Sequence, residues 1–263
     1  MTDWPEDWIR PDWPVPPRVR ACVTTRRGGL SQAPFDGFNL GDHVGDAPDR
    51  VSANRQHLQQ LLGCEPAWMS QIHSSIAVEA DPRSCPTADA SWTGEAGVAC
   101  AVLTADCLPV LLCDVDGARV AAAHAGWRGL ASGVLEATVA AMAVPGSHLI
   151  AWLGPAIGPT AFEVGGEVRD AFIAGHPECS EAFVPSHRAD RFMADIYQLA
   201  RIRLAACGVT AVYGSGFCTV SDARFYSYRR AARTGRFASL IWLDCGRSPA
   251  PGISPLTRFT PPG

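Results

Sequence analysis

Two apolar runs, Val110-Leu111-Leu112-Cys113 and Ala118-Arg119-Val120-Ala121-Ala122-Ala123, flank Asp114-Val115-Asp116-Gly117, and this pattern constrains the fold more than any other in the chain. The Asp-Gly pair takes the positive φ that a tight turn requires, so the segment reads as an antiparallel hairpin. Cys107, within Thr104-Ala105-Asp106-Cys107-Leu108-Pro109, precedes the first arm. His124, within His124-Ala125-Gly126-Trp127-Arg128-Gly129, follows the second. An antiparallel hairpin brings those two ends together, so the thiol and the imidazole meet despite their separation in sequence. His73, in Gln71-Ile72-His73-Ser74, is a third candidate, in a segment apolar enough to be a strand or its end.

Two histidines and one cysteine suit a zinc ion with three protein ligands and an open fourth position, the arrangement of catalytic zinc. Spacing alone favours a buried thiol and a histidine that satisfies a core hydrogen bond, because no paired CxxC or HxxxH fixes the ligands.

A chain of 263 residues that is 47% hydrophobic can bury a sizeable core. No stretch reads as a linker and no fixed-period repeat occurs, so one domain is expected. The net charge of −4 gives no basic footprint for nucleic acid, and small molecules fit better as partners. All 22 cationic side chains are arginine. A Schiff-base lysine and a Walker-type lysine are thereby excluded, and any phosphate must be held by arginine, backbone amides or metal. The opening Met1-Thr2-Asp3-Trp4-Pro5-Glu6-Asp7 is acidic and proline-broken, unlike a signal peptide. With ten cysteines in a chain of this length, a reducing cytoplasm is expected. No apolar run approaches the ~20 residues that span a bilayer, so no membrane partner is expected.

Residues 1–17 are rich in Trp and Pro and read as an arm laid on the surface. Residues 19–24 read as a strand leading into Arg26-Arg27-Gly28-Gly29, which makes Arg26 a candidate anion contact. Helices are expected at Asp49 to Leu62 with Gly63 as C-cap, at Leu130 to Met142, and at Asp190 to Cys207. Strands are expected at 148–153 and from Phe237 to Leu243. In Phe225-Tyr226-Ser227-Tyr228-Arg229-Arg230 and Thr234-Gly235-Arg236, aromatic residues beside arginines can stack a planar ring and hold an anion. Residues 247–263, full of Pro, Gly and Ser, read as an irregular tail.

These segments carry a resemblance. Thr25-Arg26-x-Gly28-Gly29, Asn39-Leu40-Gly41, Gly45-Asp46, Asn54-Arg55, Gln71-x-His73, the Asp106-Cys107 and His124–Gly129 motifs, Gly154-Pro155-x-Ile157-Gly158, Glu163-Val164-Gly165, Cys218-Thr219 and Tyr226–Arg230 run in order along the chain. In this the sequence resembles the YfiH-type laccase-domain family, regarded as zinc-dependent purine nucleoside phosphorylases. Ser74, in place of a usual Gly, and Thr160-Ala161-Phe162, in place of a frequent Cys and Tyr, depart from the pattern.

The resemblance implies one α/β domain, residues 18–246, of mixed sheets flanked by helices and layered helix, sheet, sheet, helix. It implies zinc bound by His73, Cys107 and His124, with phosphorolysis of adenosine, inosine or guanosine and the related deamination of adenosine and cleavage of methylthioadenosine. Arg26, Asn39, Arg229 and Arg230 are the expected substrate contacts, and Asp106 and Glu163 the candidate acid and base. A monomer is expected. The same residues allow a cysteine amidohydrolase with Cys107 as nucleophile and His124 as base, acting on muramoyl amides in peptidoglycan-precursor editing. A copper polyphenol oxidase fits less well, since seven histidines include no His-x-His pair, although copper can occupy a His2Cys site.

Overall fold

The computed structural model describes residues 4–246. The expected irregular tail, residues 247–263, and the first three residues of the arm lie outside the described residues. The chain runs β1 (Val19–Val23), α1 (Pro48–Leu62), β2 (Glu65–Ala67), β3 (Ala77–Glu79), β4 (Ala90–Thr93), β5 (Val98–Thr104), β6 (Leu108–Asp114), β7 (Val120–Ala125), α2 (Trp127–Ala131), α3 (Val134–Met142), β8 (Leu149–Leu153), β9 (Glu163–Gly165), α4 (Gly166–Ile173), β10 (Phe183–Pro185), β11 (Arg191–Ala194), α5 (Ile196–Ala206), β12 (Ala211–Gly214) and β13 (Phe237–Leu243).

Two mixed sheets lie face to face. One has the order β1-β13-β5-β2 and the other β12-β8-β6-β7-β4-β3. Every residue of β5, β6, β7 and β13 is buried, because each of these strands is covered on both faces. The period of two in a strand decides what each side chain meets. Cys100 and Val102 of β5 pack with Leu111, Cys113 and Ala122 between the sheets. The alternate residues Ala99, Ala101 and Leu103 turn outward to Leu58, Leu61 and Leu62 of α1. Leu108, Val110 and Leu112 of β6 turn the other way, onto Val134, Leu135, Leu199 and Leu204 of α3 and α5. The expected layering of helix, sheet, sheet and helix is what this alternation produces. Among the described residues, no helix is long and apolar enough to cross a membrane.

The hairpin forms as expected, but its first arm is longer and its second is shifted two residues toward the C-terminus. Gly117 has φ +67°, and Asp114 Oδ1 accepts from the amides of Ala118 and Arg119 at 2.7 and 2.9 Å. Pro109 is paired with His124, so His124 sits inside β7 rather than after it. Helix α1 starts on Pro48 and ends on Gly63 at φ +67°, whose amide reaches the Gln59 carbonyl.

Three expectations are corrected. The helix from Leu130 to Met142 is divided into α2 and α3 at Gly133, whose φ of +96° breaks a right-handed helix. The helix from Asp190 begins only at Ile196. Asp195 caps it by accepting from the amides of Tyr197 and Gln198, while residues 191–194 pair as β11 with β9 and β10. The arm is not merely laid on the surface. Trp4 and Trp8 are buried against Trp242 and Phe38, and Ile9 bridges to Val23.

Candidate metal centre and substrate cavity

The end of the hairpin that carries Cys107 and His124 opens into a cavity of about 450 Å3. Cys107 lies immediately before β6, and His124 faces it from β7. His73 comes from a bend, not a strand, with φ +63°. Its Nε2 lies 3.7 Å from Cys107 Sγ, and the His73 and His124 rings meet edge to face at 4.8 Å. One ligand atom from each of the three residues lies within 4.8 Å of the others.

A buried carboxylate holds this cluster in place, and sequence reasoning missed it. Asp89, fully buried immediately before β4, accepts from His124 Nδ1 at 2.8 Å. It also accepts the amides of Ile72, His73 and Ser74 at 3.2, 2.9 and 2.6 Å and the Ser74 hydroxyl at 2.7 Å. These bonds pull the bend bearing His73 against β7 and leave His124 Nε2 for the cluster. Ser74, which departs from the family's Gly, uses its hydroxyl here. The signal available in the sequence was a lone acid among alanines, Ala88-Asp89-Ala90, in a segment about to become a strand.

The glycines of the His124–Gly129 motif have a steric reason. A Cβ at Gly126 would lie 2.8 Å from His73 Cδ2 and 3.0 Å from Cys107 Sγ, and one at Gly129 would lie 2.8 Å from the Ser74 carbonyl oxygen. The backbone must pass within contact of His73, Cys107 and the Ser74 carbonyl, and only glycine permits it.

Electrostatics follow from the geometry. Burial alone would raise the Cys107 thiol, but the charge and hydrogen bond of His124, with help from His73, outweigh it and bring its pKa down. His124 is pushed the opposite way: burial opposes its protonation, and the Cys107 charge and the Asp89 carboxylate raise its pKa. Both shifts favour a thiolate beside an imidazolium in the metal-free pair.

The predicted substrate and acid–base residues divide sharply. Arg229 lines the cavity, as does Asp106. Both Asp106 carboxylate oxygens are engaged, by Thr219 Oγ1 at 2.6 Å and by the Arg229 amide at 2.6 Å. Arg26, Asn39, Arg230 and Glu163 are not in the cavity wall. Arg26 is bound to Asp36 and stacked over Tyr226. Asn39 is fully buried, bonding Gly41, Asp46 and the Arg236 amide. Arg230 ties down the carbonyls of Thr219, Val220 and Phe225. The Glu163 carboxylate accepts from Ser186 and Arg188, and only its carbonyl reaches the site, through Arg229. These four build the loops that frame the cavity.

Of the ring-and-anion segments expected from the sequence, Tyr228 and Arg236 do line the wall, and Arg128, Trp127, Phe162 and His43 join them without having been assigned. Arg128, exposed and stacked on Trp127, and half-buried Arg236 add positive charge beside Arg229. Phe162, Trp127 and Tyr228 contribute rings, and His43 an imidazole. Thr104 in the same wall has a buried hydroxyl with no protein partner. Two rigid sheets end here in a two-histidine, one-cysteine cluster walled by arginines and aromatic rings, which defines a protein of the mixed α/β class with a candidate metal centre.

Comparison with known proteins agrees. Residues 20–244 match the family described as multi-copper polyphenol oxidoreductase laccase, and the chain belongs to this family. It is 68% identical to a purine nucleoside phosphorylase of Pseudomonas aeruginosa over 90% of this chain and 98% of that one. It is 51% identical to the purine nucleoside phosphorylase YfiH of Escherichia coli over 89% of this chain and 98% of that one. Among solved structures, a Neisseria meningitidis protein of the DUF152 family superposes with a TM-score of 0.89 at 52% identity, covering 91% of this chain and all of that one. YlmD from Geobacillus stearothermophilus gives 0.85 at 30% identity, covering 90% and 96%.

Proposed function

We propose that this chain is a zinc-dependent purine nucleoside phosphorylase, with a catalytic domain of residues 18–246. It takes adenosine, inosine or guanosine with inorganic phosphate to the free base and ribose 1-phosphate. Relatives at 68% and 51% identity bear that name. The observation that carries the reading is the sharing of one cavity by the His73, Cys107 and His124 cluster, three arginines and three aromatic rings.

The donor set fits zinc. Two imidazoles and a thiolate are three borderline-to-soft ligands, one fewer than a closed structural site uses. A multi-copper enzyme needs several clusters, whereas the described residues hold one such group. When bound, zinc supplies Lewis-acid and template chemistry to an oxygen of phosphate or substrate.

The residues do the rest. Without lysine, the phosphate is held by Arg128, Arg229 and Arg236, whose planar donors match its oxygens. Arg236 keeps spare capacity for this, since only its Nη1 is spent on the Thr234 and Gly235 carbonyls. Phe162, Trp127 and Tyr228 offer ring surface to a purine. Leu103, Ile157 and Ile196 form an apolar wall that excludes water from one side of the reacting centre. Asp106, with both carboxylate oxygens engaged, is a positioning residue for Arg229. Deamination of adenosine and cleavage of methylthioadenosine are related reactions of the same site. All ten cysteines are free, which suits a cytoplasmic setting.

One observation favours a second reading. The order Asp89, His124, Cys107 also matches the orienter, base and nucleophile of a cysteine hydrolase, with muramoyl amides as substrates. Product analysis separates the two. Inosine incubated with phosphate yields ribose 1-phosphate under the phosphorylase reading, and no nucleoside product at all under the hydrolase reading.

A further inference from the structure

Phosphorolysis of a purine nucleoside leaves negative charge on the departing base, and a proton delivered to the purine lowers that barrier. The cavity has few groups able to deliver it. His73, Cys107 and His124 are assigned to the metal. Asp106 is occupied on both oxygens by donors at 2.6 Å. The Glu163 carboxylate points to Ser186 and Arg188, outside the cavity. Arginines hold their protons. His43 and Tyr228 remain, and a phenol is too weak an acid at neutral pH to match an imidazolium.

His43 sits in the wall on the loop between Asn39 and α1, with 57% of its side chain exposed. The loop is firmly set. Asn39 bonds Gly41 and Asp46, and Asn54 of α1 donates to the Asn39 carbonyl at 2.9 Å. Asp42 Oδ1 lies 3.5 Å from His43 Nδ1 and is itself anchored by Arg55 at 3.2 Å from its other oxygen. Nδ1 is thus turned to a carboxylate, and Nε2 is the nitrogen left for a ligand. The charged groups around the ring are Asp42 from its own loop, Arg55 from α1 and Arg236 from the segment before β13, with Tyr228 and Arg229 elsewhere in the same wall.

We propose that His43 is the general acid that protonates the departing purine, an inference that rests on the phosphorylase reading. The bond from the anomeric carbon to the base nitrogen breaks with its electron pair going to the purine, whose ring takes the proton from His43 Nε2. A phosphate oxygen forms the new bond to the anomeric carbon. The phosphate monoester then sheds its remaining proton, which restores the imidazolium, so hydrogen phosphate dianion and neutral nucleoside become neutral base and ribose 1-phosphate dianion. Burial and the Arg236 charge lower the His43 pKa, which makes its protonated form a stronger acid.

The test compares inosine with 7-methylinosine, whose base already carries positive charge and departs without a proton. Zinc-loaded His43→Gln is expected to lose about 10²- to 10⁴-fold in kcat on inosine, with KM for inorganic phosphate little changed. On 7-methylinosine it is expected to lose less than about 10-fold, far below the contribution of a general acid. The wild-type kcat/KM on inosine should fall on the alkaline side of a histidine titration, and that limb should be missing with 7-methylinosine. Equal losses on the two substrates, or no loss on inosine, would overturn the assignment. Activity on 7-methylinosine also shows that the variant is folded. A wild-type protein inert on both nucleosides would instead reject the phosphorylase reading, and this inference with it.

Discussion

Asp89 and His124 are bound to one another twice: the carboxylate Oδ1 accepts from His124 Nδ1 at 2.8 Å, and the Asp89 carbonyl accepts from the His124 amide at 2.7 Å. The first bond fixes which ring nitrogen faces the cluster, and the second fixes the strand that carries the ring. A carboxylate behind a metal-binding histidine raises the ligand's basicity and sets its orientation.

Asp89→Asn is therefore expected to weaken metal binding by about 10- to 100-fold. The amide replaces one acceptor oxygen by a donor in a nest of three backbone amides, a hydroxyl and a ring nitrogen. Competition with a chromogenic chelator measures the affinity. An unchanged value would show that Asp89 serves the bend alone.

Gly126→Ala separates the cluster from the fold. The backbone at Gly126 has φ −60°, which alanine adopts freely, so the cost is steric and local. The new methyl would collide with His73 and Cys107. Stability should fall by only about 1–3 kcal/mol, while metal retention is lost. Thermal unfolding and metal content on the same sample check both halves.

Metal uptake should release protons. In the metal-free protein Cys107 is driven toward thiolate and His124 toward imidazolium, so a metal ion entering near neutral pH displaces about one proton, from His124. Because the raised His124 pKa keeps that proton bound at lower pH, affinity should weaken as pH falls and strengthen as pH rises through the titration of His124. Calorimetry in buffers of different ionisation heat counts the proton. No release near pH 7.5 would contradict the thiolate–imidazolium pair.

The arginines should fall into two groups. Arg128→Ala removes a cation from the cavity wall and is expected to raise KM for phosphate about tenfold, in line with about 1.5 kcal/mol for a charged hydrogen bond. Arg26→Ala removes a brace on Asp36 and should lower stability without a selective effect on phosphate. Steady-state kinetics with varied phosphate distinguishes them.

The central hairpin was legible because β6 and β7 are buried on both faces and so read as unbroken apolar runs, with Asp116-Gly117 supplying the turn. The meeting of Cys107 and His124 was legible from that hairpin, whereas His73 was legible only as a motif, since it reaches the cluster through a bend whose conformation depends on Asp89, a tertiary contact with no periodic signature. The same limit misplaced Arg26, Asn39, Arg230 and Glu163. A motif marks residues that a site needs, and it does not distinguish those that touch a ligand from those that hold the loops. Asp195 similarly hid the start of α5, because Arg191 to Ala194 continue the apolar spacing of the helix while pairing as a strand.

The most direct measurement follows hypoxanthine release from inosine by chelator-stripped and zinc-restored protein, each with and without inorganic phosphate. The account predicts turnover only when zinc and phosphate are both present, with about one zinc per chain. Release by stripped protein, or release indifferent to phosphate, would contradict it.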